Sequence, residues 1–140
     1  MSRRQRVAAV AVLAAITGGT GAVQTSAGSP ANRTVNVTVR EFSLKPAAKI
    51  VLPGKVTFVV RNVGRVDHEL VVLRTNRPAK ELFLASTRDV FEIGRIGKTS
   101  PIDAGRTKRL TLTLKPGHYA LICNLPGHYR AGQFSDFAVG

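Results

Sequence analysis

Apolar and polar side chains alternate in short runs along the chain. Apolar residues occupy every second position in 35–39, 56–60 and 110–114, with mostly polar residues between them. Because successive side chains of a strand point to opposite faces, each run predicts a half-buried β-strand. The run 68–73 is apolar at most positions, which predicts a central strand packed between two sheets.

Turn signals separate these runs. Pro53-Gly54 and Pro116-Gly117 each stand between two predicted strands, and the segment 76–105 is irregular, with one or two helical turns expected from Ala79 to Leu84. A last strand is expected over 134–139. The pattern predicts an all-β protein: an antiparallel Greek-key sandwich or barrel of 7–8 strands, forming a single domain over 34–140.

The first residues resemble an export signal. Arginines at positions 3, 4 and 6 precede an apolar stretch over 7–16, and Thr25-Ser26-Ala27 offers the small residues of a cleavage site. We therefore predict an export signal over 1–27, a flexible lead-in over 28–33, and a periplasmic, extracellular or cell-surface location. The alternative is an uncleaved anchor that keeps the protein at the membrane, although the apolar stretch is short for a spanning helix.

The chain is strongly basic. Its 21 lysines and arginines against 8 acidic residues give a formal charge of +13, or +10 once the three arginines of residues 1–27 are removed. Such a charge favours anionic partners, including acidic proteins and anionic membrane surfaces. The basic residues are scattered singly without interleaved aromatics, so the pattern disfavours nucleic acid as a partner.

Cys123 is the only cysteine, so the chain can form no internal disulfide. A free thiol outside the cytoplasm is exposed to oxidation, and metal coordination would protect it. The alternatives are an inert buried residue, an intermolecular bridge or a nucleophile. A cysteine hydrolase or thiol peroxidase would also need a substrate cleft, and we find no sign of one or of a small-molecule substrate.

Other metal-ligating side chains accompany this thiol. His128 lies five residues after Cys123 and Gln133 five residues further, and the Pro126-Gly127 pair bends the chain between them. His68 precedes the predicted central strand. Two imidazoles and one thiolate with a weak axial ligand define a blue-copper site, because the thiolate is soft and imidazole suits both oxidation states of copper.

At these residues the chain resembles the cupredoxin family. The resemblance covers the strand 56–62, the histidine after it, the Pro-Gly-His-Tyr sequence at 116–119 and the loop 123–133. It implies one type 1 copper held by His68, Cys123 and His128, and a monomeric, non-enzymatic one-electron carrier. Glutamine at position 133, where most members have methionine, resembles stellacyanin and implies an axial amide oxygen and a lower reduction potential.

The resemblance also raises points that the sequence leaves open. Many relatives have Asn or Ser directly after the first histidine, so Glu69 leaves open whether the two ligand segments are bonded to each other. His118 should lie at the surface, on the strand face opposite Cys123. Residues 125–127 would surround the electron exit at His128, and Arg130 would favour an acidic redox partner. The alternative function is copper capture, storage or delivery outside the cytoplasm.

Overall fold

The computed structural model of the protein describes residues 21–22 and 33–140. The predicted export signal over 1–27 and the lead-in over 28–33 lie outside the described residues, apart from residues 21, 22 and 33. Within the part of the chain that is described, no helix is both long and apolar enough to cross a membrane.

Strands are the main regular structure of residues 33–140, and a single 3-10 turn, Ala79–Glu81, lies between two of them. The nine strands of this part of the chain are β1 (Arg33–Arg40), β2 (Ser43–Pro46), β3 (Ile50–Val51), β4 (Gly54–Asn62), β5 (Val71–Arg74), β6 (Arg95–Lys98), β7 (Thr107–Leu114), β8 (Gly117–Ile122) and β9 (Phe134–Val139). The all-β class predicted from the alternating pattern is confirmed.

The strands form two sheets, with the order β2-β1-β4-β7 in one and β3-β9-β8-β5-β6 in the other. Most neighbours are antiparallel, as predicted, but β1 pairs with β4 and β3 pairs with β9 in parallel, so both sheets are mixed. Alternation reports which face of a strand is buried and carries no information about strand direction. The parallel pairs therefore could not be predicted from the pattern.

The core lies between the inward faces of the two sheets. The side chains of Phe58 on β4 and Phe137 on β9 are 0% and 1% exposed, and their rings meet edge to face with centroids 5.5 Å apart. Strand β5 is buried on both faces, as predicted, but only Val72 faces the opposite sheet. Val71 and Leu73 instead pack in a second cluster with Ala79 of the 3-10 turn, so the irregular segment covers the outer face of this strand.

The outer face of the four-stranded sheet is basic. Exposed lysines and arginines alternate with inward-facing residues on all four strands. These outward residues are Arg40, Lys45, Lys55, Arg61 and Arg109. None of the chain's eight acidic residues lies on these four strands. Like charges thus gather on one face, where a surface or partner of negative charge would be attracted.

Candidate metal centre

Three predicted ligands meet at one end of the sandwich. A donor atom from each of His68, Cys123 and His128 lies within 4.8 Å of the other two. His68 bridges to Ile102 just before β5, Cys123 directly follows β8, and His128 lies in the loop that leads to β9. The fold therefore brings His68, which lies 55 positions before Cys123 in sequence, to the two donors that the loop supplies.

The loop 123–133 is closed by its own backbone hydrogen bonds. The N–H of Cys123 donates to the carbonyl of Gln133 at 3.1 Å, and the N–H of His128 donates to the carbonyl of Leu125 at 3.0 Å. Gly127 adopts a φ of 81°, a left-handed conformation that costs glycine nothing. The Pro-Gly turn thus bends the loop so that the His128 ring returns to the sulfur, with Nδ1 3.4 Å from Sγ.

The irregular segment before β6 holds this loop from outside. The Asn124 side chain accepts from the N–H of Val90 at 3.0 Å and donates to the carbonyl of Val90 at 3.1 Å. The Tyr129 hydroxyl donates to the carbonyl of Ala79 at 2.6 Å and accepts from the N–H of Leu82 at 3.1 Å. The segment is therefore part of the support of the ligand loop, a role that its lack of regular pattern concealed.

Replacing Tyr129 with phenylalanine is expected to destabilise the protein by about 1–3 kcal/mol, because it leaves a buried carbonyl and a partly buried N–H without their partner. Urea unfolding measures the loss, and hydrogen exchange should rise at residues 79–82 and 128–132. Tyr119→Phe is the matched control, since the Tyr119 hydroxyl bonds the carbonyl and N–H of Lys115 at 2.7 and 3.1 Å, away from this loop. Equal exchange in both variants at 128–132 would contradict the supporting role.

Cys123, which carries the thiol of the cluster, is fully buried. Burial raises the pKa of its thiol to about 11, although the N–H of Glu69 points at Sγ from 3.4 Å. A nucleophilic cysteine requires an accessible thiol with a lowered pKa. These surroundings therefore disfavour the hydrolase and peroxidase alternatives, and a metal would have to displace the thiol proton when it binds.

The residue after the first histidine does connect the two ligand segments. The Glu69 carboxylate is buried, which raises its pKa, and it accepts a hydrogen bond from the backbone N–H of Asn124. Nζ of Lys98 lies 3.9 Å from Oε2 of Glu69 and partly balances the negative charge of the carboxylate. Glu69 thus bonds the His68 segment to the cysteine loop in two ways, through its carboxylate and through its own N–H, which points at Sγ. The two ligand segments are therefore bonded to each other, a point that the sequence left open.

Hydrogen bonds on both sides define the orientation of the His68 ring. Nε2 lies 2.9 Å from Oε1 of Glu41, and Nδ1 lies 2.9 Å from Nε2 of Gln133. Glu41 is ionised, since backbone hydrogen bonds from Val66 and Arg65 and one from His68 lower its pKa to about 2. A carboxylate only accepts and an amide nitrogen only donates. Therefore Nε2 carries the proton, and the lone pair of Nδ1 accepts from the Gln133 amide.

Glu41 was missed by the sequence analysis. It lies between β1 and β2, 27 residues before His68, with no local motif around it. The parallel pairing of β1 with β4 brings the ends of these strands together, and Glu41 then lies beside the segment that follows β4. Because that pairing could not be predicted, no signal in the sequence pointed to this contact.

Gln133 is buried beside the three donors. Its amide nitrogen faces the His68 ring and, at 3.3 Å, the carbonyl of Ser43. Its amide oxygen is buried and has no hydrogen-bond partner among the described residues. A buried polar atom without a partner is costly, and a ligand is one of its common explanations. The burial of this oxygen is compatible with the weak axial donor that the resemblance implied.

His128 is the partly exposed member of the cluster. Burial, and then the nearby His68 ring, lower the pKa of His128, which favours the neutral imidazole that a metal requires. The exposed ring of Phe42 stands edge-on to it, with centroids 5.1 Å apart. An apolar side chain therefore borders the solvent side of the site.

His118 lies outside the cluster, in agreement with the strand alternation. Its ring nitrogens face the carbonyl of Thr75 at 2.6 Å and the Asp136 carboxylate at 2.9 Å. It therefore ties the start of the irregular segment to β8 and β9 and contributes no donor to the candidate site.

Comparison with known proteins identifies the fold. No family model matches the chain, and no curated protein matches it. Among solved structures, reduced auracyanin from Roseiflexus castenholzii superposes with a TM-score of 0.60 and 22% identity, covering 79% of this chain and 98% of that one. Rusticyanin from Thiobacillus ferrooxidans has a TM-score of 0.58 and 17% identity, covering 79% of both chains.

A third structure agrees with these two. Auracyanin A, described as a "blue" copper protein from Chloroflexus aurantiacus, has a TM-score of 0.58 and 17% identity, covering 79% of this chain and all of the other. The protein therefore has the cupredoxin fold, as its sequence motifs predicted. Within that fold, the two imidazoles and the thiol form a donor set that fits copper.

Proposed function

We propose that this is a type 1 copper protein that acts as a one-electron carrier through Cu(II)/Cu(I) cycling. The observation that carries the proposal is the convergence of two imidazole nitrogens and one buried thiol within 4.8 Å at the end of a β-sandwich. That donor set, with a weak axial ligand, is the type used for blue-copper electron transfer. The likeness to auracyanin and rusticyanin supports it through the shared fold.

Four side chains would bind the metal. His68, Cys123 and His128 would supply the three strong donors, and Gln133 would supply the axial oxygen. Copper would contribute a metal centre that gains and loses one electron. The hydrogen bonds of Glu41 to His68 and of Glu69 to Cys123 would limit reorganisation between the two oxidation states, because they hold these two donors in place before the metal arrives.

The surroundings of His128 support it as the route for the electron. It is the one strong donor that reaches solvent, while His68 and Cys123 are 0% exposed. The exposed Phe42 ring and the Pro126-Gly127 turn would form an apolar rim at which a partner could approach. No substrate cleft is needed for this function, and we propose a non-enzymatic role.

We further propose an acidic redox partner and a location outside the cytoplasm. The basic outer sheet face and the exposed Arg130 support the first, because complementary charge speeds encounter and salt weakens it. The signal-like residues 1–27 support the second. Association with an anionic membrane surface would draw on the same charge, and a monomer would leave the His128 end free.

Electron self-exchange tests the carrier role against copper handling. In a mixture of Cu(I) and Cu(II) protein, exchange is expected to be fast enough to broaden the NMR signals near the site, because the donors are held in place. Copper should stay bound when the loaded protein is incubated with a copper-binding peptide. Slow self-exchange together with rapid copper transfer to the peptide would favour the alternative, a protein that captures or delivers copper.

A further inference from the structure

One carboxylate joins the first histidine to the chain that precedes it. Oε1 of Glu41 lies 2.9 Å from Nε2 of His68 and accepts from the N–H groups of Arg65 and Val66 at 2.8 and 2.9 Å. The His68 side chain is 0% exposed and that of Glu41 is 27% exposed. A single oxygen thus binds the imidazole and the turn that leads to it.

The arrangement depends on a glycine. A Cβ placed on Gly64 would lie 2.3 Å from Oε1 of Glu41, much closer than two such atoms can approach. Gly64 is not among the residues with positive φ, so its role here is to leave room. The contacts of this Cβ are with the far end of the Glu41 side chain, which can swing away. An alanine at 64 should therefore displace the carboxylate and spare the fold.

The hydrogen bond between Glu41 and Nε2 of His68 has two consequences for a metal bound to Nδ1 of the same ring. It keeps the proton on Nε2, so Nδ1 keeps a lone pair, which here accepts from the Gln133 amide and would bind the metal in its place. It also places negative charge against the ring, which increases the electron density that the ring donates. Cu(II) carries more charge than Cu(I) and gains more from such a ligand. The carboxylate should therefore stabilise the oxidised form more than the reduced form.

We infer that Glu41 is a positioning residue for the His68 ligand and that it lowers the reduction potential of the bound metal. The inference rests on the proposed function, since it concerns copper held at that site. Loss of an outer hydrogen bond to a metal ligand changes affinity by about 10–100-fold. Because the carboxylate is partly exposed to solvent, we expect the lower end of this range.

Three variants separate the hydrogen bond from the charge. Glu41→Gln removes the negative charge from the bond, and Gly64→Ala keeps the charge but moves it away from the ring. Asp67→Asn is the matched control, because Asp67 is an exposed acid next to His68 in sequence, and the ring's hydrogen bonds in the described part of the chain go to Glu41 and Gln133 instead. Each copper-loaded protein is studied by voltammetry, and each apoprotein by ¹⁵N NMR of the His68 ring.

Glu41→Gln and Gly64→Ala should both raise the ratio of Cu(I) to Cu(II) affinity about tenfold, which is about 59 mV for one electron. In the apoproteins, the Nδ1–H form of the His68 ring should increase in Gly64→Ala, which moves the acceptor away from Nε2. In Glu41→Gln the amide oxygen still accepts from Nε2–H, so the tautomer should not change. Asp67→Asn should leave the His68 tautomer unchanged, and it should shift the reduction potential by less than half of the shift in Glu41→Gln.

Two results would overturn the inference. One is an equal shift in Glu41→Gln and Asp67→Asn, which would mean that any nearby charge acts alike. The other is a wild-type potential in both Glu41→Gln and Gly64→Ala, together with a wild-type tautomer in Gly64→Ala. If the proposed function itself is wrong, the result differs from both of these, because the unmodified protein would then form no blue copper complex. The apoprotein tautomer would still report whether Glu41 orients His68.

Discussion

Cys123→Ser is expected to abolish the intense visible band and the narrow copper hyperfine splitting that the unmodified protein should show with Cu(II). Both signatures arise from the covalent bond between copper and a thiolate, and a serine hydroxyl cannot supply it. Copper affinity should fall by more than the roughly 100-fold that the loss of an outer hydrogen bond can cost, because a strong ligand is lost. Visible and EPR spectra of copper-titrated apoprotein measure the effect.

The buried position of residue 123 calls for two controls. Serine is nearly the size of cysteine and still accepts from the N–H of Glu69, so the apoprotein should unfold in urea close to the wild-type midpoint. His118→Gln removes a histidine outside the cluster and should leave the blue spectrum intact. A colourless copper adduct that forms equally well with the unmodified protein and with Cys123→Ser would exclude the type 1 site.

Gln133→Met is expected to raise the reduction potential of the copper, with each tenfold change in the Cu(I) to Cu(II) affinity ratio worth about 59 mV. The amide oxygen of Gln133 is a hard donor that favours Cu(II), whereas a thioether sulfur is soft and favours Cu(I). Because this oxygen is buried and has no partner in the described part of the chain, the metal is the natural acceptor of its lone pairs. Voltammetry of the two proteins measures the difference.

Gln133→Leu separates the loss of oxygen from the gain of sulfur. It removes the oxygen and supplies no donor, so its potential should be at least as high as that of Gln133→Met. In the apoprotein, both variants also lose the N–H donated to Nδ1 of His68, and the bond from Nε2 to Glu41 remains. Potentials that remain at the wild-type value in both variants would show that the amide oxygen does not touch the metal.

Local patterns in the chain were enough for the fold class and for the residues of the candidate site. Alternation over 35–39 and 56–60 follows from the two faces of a strand, and the structure places those residues in β1 and β4. The spacing of Cys123, His128 and Gln133 is also local, because a Pro-Gly turn within a short loop determines how its residues converge. A single cysteine in a chain with a signal-like first segment pointed to the same loop.

Contacts between distant segments required the tertiary structure. The parallel pairing of β1 with β4 brings Glu41 to His68, and the irregular segment before β6 reaches the ligand loop through Tyr129. Strand direction and long-range hydrogen bonds leave no periodic trace in a sequence, because they depend on which elements meet and not on how one element alternates. The sequence by itself thus determined the donors and the class of fold, and the tertiary structure decided which neighbours orient those donors.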